Sequence, residues 1–188
     1  MQRFLHAAVG LLVASLISCP GRAAVVDTTA NGFAIEQQVH IAAAPDKVYD
    51  ALVHPALWWS SDHTFSGSAA NLTMEARAGG CFCEALANGG SVEHAVVVDA
   101  DPGHVLRLRG PLGPFQGQGV ASALTFSLKA GGDGTDLTLD NIAGGYMKGG
   151  FADWPAKADA MLAGQMARLK AYLETGSPDT DDLKGSQP

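Results

Sequence analysis

The sequence predicts an α+β domain, with its strands and helices segregated along the chain and not alternating. Three observations carry that prediction. Between residues 71 and 142, apolar and polar side chains alternate with a period of two, and glycine-rich turns cut the pattern into short runs. From 155 to 174 the period becomes helical, with one apolar stripe. Ahead of both, Pro45 opens a shorter helical pattern behind a first strand at 33–41. A chain of 188 residues is long enough for one such domain with its own core.

Residues 1–24 read as a signal peptide. Arg3 supplies the positive start, and 5–17 is almost wholly apolar, interrupted only by His6, Gly10 and Ser15. That run is shorter than the roughly 20 apolar residues a membrane span needs. Two cleavage sites compete. Gly21-Arg22-Ala23 offers small residues at the positions an ordinary signal peptidase requires. Leu16-Ile17-Ser18-Cys19 resembles a bacterial lipobox, whose use would put a lipid anchor on Cys19. The expected location is periplasmic or otherwise extracytoplasmic, with membrane contact only if Cys19 is lipidated.

The whole chain carries 12 Lys+Arg against 19 Asp+Glu, a formal net charge of −7. Loss of Arg3 and Arg22 with the signal takes this to −9, and no acid is lost with them. So acidic a surface repels nucleic acid and anionic headgroups, which excludes both as expected partners. Residues 25–32 read as a linker. Residues 176–188 are polar, with Asp179, Asp181 and Asp182 close together, and read as a disordered acidic tail.

In the segment between them, 33–175, the first strand leads to a helix at 45–53. Val48, Tyr49, Leu52 and Val53 form its apolar stripe, and His54-Pro55 ends it. A short segment holds Trp58 and Trp59. In the next strand Leu72, Met74 and Ala76 face one way while Thr73, Glu75 and Arg77 face the other. Further strands fall at 81–87, 91–100, 104–110, 120–129 and 135–141, divided by Gly79-Gly80, Asn88-Gly89-Gly90, Asp101-Pro102-Gly103 and Gly131-Gly132-Asp133-Gly134. The final helix presents Trp154, Ala158, Met161, Leu162, Gln165, Leu169, Tyr172 and Leu173 near one face. It must bury that face on the sheet.

Several stretches carry a family resemblance. Residues 41–49, from Ile41 through Pro45-Asp46-Lys47-Val48-Tyr49, the Trp58-Trp59 pair, and Gln165, Arg168-Leu169 and Leu173-Glu174 in the closing helix resemble the START-like superfamily, also called SRPBCC or Bet v 1-like. Gly79-Gly80-Cys81-Phe82-Cys83-Glu84, Gly90-Ser91-Val92-Glu93-His94 and Gly110-Pro111-Leu112-Gly113-Pro114 resemble an exported bacterial branch. That branch is grouped with homologues of the heat-shock-protein ATPase activator. The resemblance implies a helix-grip fold, a curved seven-stranded antiparallel sheet wrapped around the C-terminal helix, with an apolar cavity between them. An exported chain would not meet a cytosolic chaperone, so none is an expected partner.

Cys81 and Cys83 are the cysteines left after export. Two apart on a strand, they share a face with nearly parallel Cβ vectors. If Asn88-Gly89 is a two-residue turn, His94 lies opposite Cys83. Three readings stay open: a redox-active or strained disulfide, a zinc or copper(I) site with His94, or small apolar side chains lining the cavity. Glu93 and His94 face opposite ways, so only one of them can enter a cavity. Asp62-His63 lies in a loop.

Aromatic residues flanking the strands, Trp58, Trp59, Phe65, Tyr146 and Trp154, suit a site for an apolar or ring-shaped ligand, with His63, Cys81, Cys83 and His94 beside them. The loop at 110–119 fits no phosphate-binding pattern and reads as a cavity rim. Gly144-Gly145-Tyr146 and Lys148-Gly149-Gly150 read as a flexible joint before the helix. No cofactor, no metal and no catalytic residue is assigned. The expected function is an exported binding protein or carrier for a small hydrophobic or aromatic molecule. The rival is a cyclase, dehydratase or isomerase using a cavity histidine or tyrosine, and a third reading is a redox or metal site at Cys81, Cys83 and His94.

Overall fold

The computed structural model describes residues 23–179. A hairpin of β1 (Ala23–Thr29) and β2 (Gly32–Ile41) leads into α1 (Pro45–Leu52), then three short 3-10 turns reach β3 (Leu72–Met74). A meander follows: β4 (Cys81–Ala85), β5 (Ser91–Asp101), β6 (Val105–Arg109), β7 (Gly119–Gly131) and β8 (Gly134–Tyr146). The chain closes with α2 (Trp154–Thr175). The strands form one antiparallel sheet in the order β1-β2-β8-β7-β6-β5-β4-β3. The pairing of β2 with β8 is the long-range step, and it carries the first strand to the far side of the meander.

This is the helix-grip α+β fold, with eight strands where seven were expected. The additional one is β1. Residues 25–29, read from sequence as linker, are instead its main part, and they pair with β2 from Val25↔Ile35 to Thr29↔Gly32. Val25, Val26, Thr28 and Thr29 are β-branched, and an edge strand needs only one neighbour to satisfy half its backbone groups. Residues 1–22, which contain most of the expected signal peptide and Cys19, lie outside the described residues, as do residues 180–188 of the expected tail.

Alternation on the long strands sorts the side chains. Leu137, Leu139 and Ala143 of β8, with Val120, Leu124, Phe126 and Leu128 of β7, point inward and are buried. Their neighbours point to the outer face. Three irregularities interrupt the ladders, at Val25/Asp27, at Phe82/Cys83 and at Val97/Asp99. Each inserts an unpaired residue that bends its strand, and bending lets the sheet wrap a helix.

α1 begins at Pro45, with Asp46 in the favourable first turn, and buries Val48, Tyr49, Ala51 and Leu52. α2 also has proline in its first turn and buries Ala158, Leu162, Gln165, Met166 and Leu169. Gly176 ends it at φ 80°, where a side chain would be strained. Polar contacts hold the helix to the sheet. Gln37 donates to the backbone and side-chain oxygens of Asp159, both at 2.8 Å. At the other end Lys170 Nζ reaches the His40 carbonyl at 2.6 Å, and Glu174 accepts from the Ala42 amide at 2.9 Å.

The expected joint before α2 is only partly a loop. Gly144, Gly145 and Tyr146 continue β8 and pair with β7 as far as Gly119↔Tyr146.

Candidate functional site

A chamber of about 490 Å³ lies between the inner face of the sheet and the first half of α2. Its size falls within the range of small-molecule sites. On the helix side Trp154, Ala158, Met161 and Leu162 line it, with Lys157 at its edge. Leu72, Phe82, His94, Ser122, Asn141 and Ala143 form the sheet side. The loop after α1 contributes Trp59 and residues 62–65, and the loop after β6 contributes residues 112–115. Aromatic rings dominate the packing around it. Phe115 meets Trp154 at 5.0 Å between centroids, and Trp59 meets Phe82 edge-on at 5.8 Å. The Lys157 ammonium lies 5.4 Å from the Trp154 ring centre.

The wall contains a buried, hydrogen-bonded carboxylate–imidazole pair. Glu84 lies on β4 with its side chain fully buried, and accepts from His94 Nε2 of β5 at 2.9 Å. It also accepts from the backbone amides of Phe65, at 3.0 Å, and Ser66. Burial alone would push the Glu84 carboxyl up. The hydrogen bonds from Ser66, from the Phe65 amide and from His94 overcome that and hold it below the usual carboxylate range. Glu84 therefore straps the 65–66 loop to the sheet and fixes the His94 ring. Phe82 and Phe65 flank that ring, at 5.0 Å and 5.8 Å between centroids.

The register explains why His94 faces inward. The β4–β5 connection spans residues 86–90, between the pair Ala85↔Ser91, and Asn88 and Gly89 adopt positive φ within it. A two-residue turn would have placed Cys83 opposite His94. The observed connection places it opposite Glu93, and the ladder then shifts by one residue so that Phe82 pairs with Ala95. His94 is the residue left over. A one-residue slip reverses the face to which a side chain points. His94 thus sits with buried Phe82 and Glu84, while Glu93 is exposed. Gly110, at φ 152°, lets β6 approach this irregularity: a Cβ there would stand 2.8 Å from the Ala95 Cα.

Of the residues expected to line a ligand cavity, Trp59, His63, Phe65, His94 and Trp154 line this chamber. Four others do not. Trp58 is buried in the core, where its indole N–H donates to the Ala51 carbonyl at 2.8 Å. Tyr146 is 74 % exposed, because the last residues of β8 run on beyond the chamber. Cys81 and Cys83 are joined to each other as a disulfide and lie on the strand face opposite Phe82 and Glu84, away from the chamber. His94 therefore cannot share a metal or redox centre with them. Among the described residues no three His, Cys, Asp or Glu side chains come together as a metal site.

The sequence reading missed Glu84, Asn141, Phe82 and Phe115. Glu84 was detectable in principle, since it shares a face with Phe82 on a strand whose other face carries the cysteines. An acid at an inward position must find partners.

Residues 33–174 match the family model described as polyketide cyclase / dehydrase and lipid transport. Among solved structures, CalU16 from Micromonospora echinospora is similar at a TM-score of 0.58 and 17 % identity, over 87 % of this chain and 89 % of that one. Protein CV1439 from Chromobacterium violaceum is similar at 0.55 and 20 %, over 75 % and 96 %. The Aha1 dimer from Colwellia psychrerythraea follows at 0.50 and 20 %, over 76 % and 97 %. None of the functionally curated proteins matches the sequence.

Proposed function

The chain belongs to the polyketide cyclase / dehydrase and lipid transport family, and from that premise we propose that it binds and carries a small hydrophobic or aromatic molecule. The observation that carries the reading is the chamber of about 490 Å³ under α2, whose walls are mostly apolar and aromatic. Apolar surface left uncovered inside a domain is costly unless a ligand fills it. The family match supports a hydrophobic-ligand domain, and the likeness to CalU16 bears on the fold that encloses the chamber.

Residues 1–24 support placing this carrier outside the cytoplasm, free or held by a lipid on Cys19. The likeness to an Aha1 protein bears on fold alone and brings no chaperone partner with it. A catalytic role would have one observation behind it, the Glu84-backed His94 ring on the chamber wall.

Native mass spectrometry of protein purified from its own host tests the reading. A bound adduct of small-molecule mass, or uptake from a panel of lipids and aromatic metabolites, is expected. Protein that stays empty throughout contradicts it. Release of a captured molecule in altered form would favour the enzyme, and mass analysis of the mature N-terminus tests the export proposal.

A further inference from the structure

Two polar side chains on the chamber's sheet wall are more than nine-tenths buried and have a hydrogen-bonding edge without a protein partner among the described residues. His94 is 6 % exposed and uses Nε2 on Glu84. With the ring neutral and Nε2–H donating to the carboxylate, Nδ1 carries a lone pair. That nitrogen has no protein partner among the described residues, nor is it sealed off as an orphaned buried atom. Asn141 is 8 % exposed, lines the same chamber, and its carboxamide makes no hydrogen bond among the described residues. Ser122 lies between them and already donates to the Gly110 carbonyl at 2.6 Å. Buried polar groups are ordinarily satisfied, so open edges inside an apolar chamber point to what occupies it.

The spacing of the two edges follows from the topology. His94 is on β5 and Asn141 on β8, three strand steps apart in the sheet. Val96, Arg109, Ala123 and Ile142 are level, so His94 and Asn141 are also offset by about three residues along the strands. At about 4.8 Å per step and 3.3 Å per residue their backbones stand roughly 17 Å apart, and convergence of inward side chains on a curved sheet brings the edges to roughly 10–15 Å. Phe82, Ala143 and Leu162 line the apolar space around them.

We propose that the ligand is an elongated, largely apolar molecule with a polar oxygen at each end. One end carries a hydroxyl that donates to His94 Nδ1, and the other an oxygen that pairs with the Asn141 carboxamide. This deepens the carrier reading and rests on it. Glu84 is the positioning residue, since it fixes the ring nitrogen that faces the ligand.

The test is a fluorescence titration of the full domain with trans-stilbene, 4-hydroxystilbene and 4,4′-dihydroxystilbene, which share one rigid skeleton. Each hydroxyl is expected to raise affinity about tenfold, as a hydrogen bond of ordinary net strength would. Asn141→Leu, which removes no protein hydrogen bond, should cancel the gain from one hydroxyl, and His94→Phe the gain from the other. Should His94→Phe fail to fold, Asn141→Leu alone still decides, because the diol must then bind it no better than the mono-phenol. Equal affinity of the three probes for the parent protein overturns the proposal, as does a diol advantage that survives Asn141→Leu. If no stilbene binds while 8-anilinonaphthalene-1-sulfonate does, the elongated shape is wrong and the carrier reading stands. If no apolar probe binds at all, both fall.

Discussion

Replacing Glu84 with glutamine perturbs the chamber wall with little change in volume. The carboxylate receives the Phe65 and Ser66 amides and His94 Nε2 on two oxygens. Glutamine keeps one acceptor and turns the other into a donor, so three charge-assisted bonds become at most two neutral ones. Each such bond weakens by about 1 kcal/mol, which sums to a loss of roughly 3 kcal/mol. For a domain of this size that lowers Tm by roughly 6–12 °C.

The pH dependence has a definite sign. The folded Glu84 carboxyl lies below its unfolded value, so its stabilisation is fully present above about pH 4.3 and is lost as pH falls through the depressed folded value. Parent and variant should therefore differ most near neutrality and converge in acid. Urea unfolding followed by circular dichroism at a series of pH values measures both quantities. A variant within about 1 kcal/mol of the parent at pH 7 would refute the view that Glu84 straps the loop. Parallel pH profiles would refute the assignment of its low pKa to these bonds.

Leu169 of α2 is fully buried against the sheet, so Leu169→Ala should cost about 2–5 kcal/mol in urea unfolding. Ala158→Trp puts a large ring into the chamber from the helix side. It should abolish binding of an apolar probe while the folded circular dichroism spectrum is kept, and probe binding that persists would move the site elsewhere. Because Cys81 and Cys83 face away from the chamber, reducing their disulfide should leave probe affinity unchanged, and a large loss would place the pair at the site after all.

Much of the fold was legible from punctuation. Pro45 opens α1, Pro155 stands in the first turn of α2, and Gly176 ends it, all where local chain physics puts such residues. Period-two alternation between glycine turns located β4 to β8. The strand β1 was not legible, because residues just after a signal-like segment resemble a spacer and their pairing is set by β2. The aromatic lining at Trp59, Phe65 and Trp154 was legible as a cluster near one end.

The histidine site was legible only in part. His94 was identified, but its partner depends on register, and register depends on a connection of five residues where the Asn-Gly pair suggests two. The resulting one-step change of register moves Cys83 away from His94 and brings Glu84 to it. Tyr146 failed for a related reason: strand β8 runs on through Gly144-Gly145 and carries the tyrosine past the chamber.

The central claim is that the space beneath α2 receives a ligand. The protein has three tryptophans, and a two-dimensional ¹H–¹⁵N spectrum resolves their indole N–H groups separately. Trp59 and Trp154 line the chamber, whereas Trp58 is buried in the core with its N–H on the Ala51 carbonyl. Saturation with an apolar ligand is predicted to shift the Trp59 and Trp154 signals strongly and Trp58 much less. Shifts confined to exposed residues such as Tyr146 and Ile142, with both chamber tryptophans unmoved, would contradict the account.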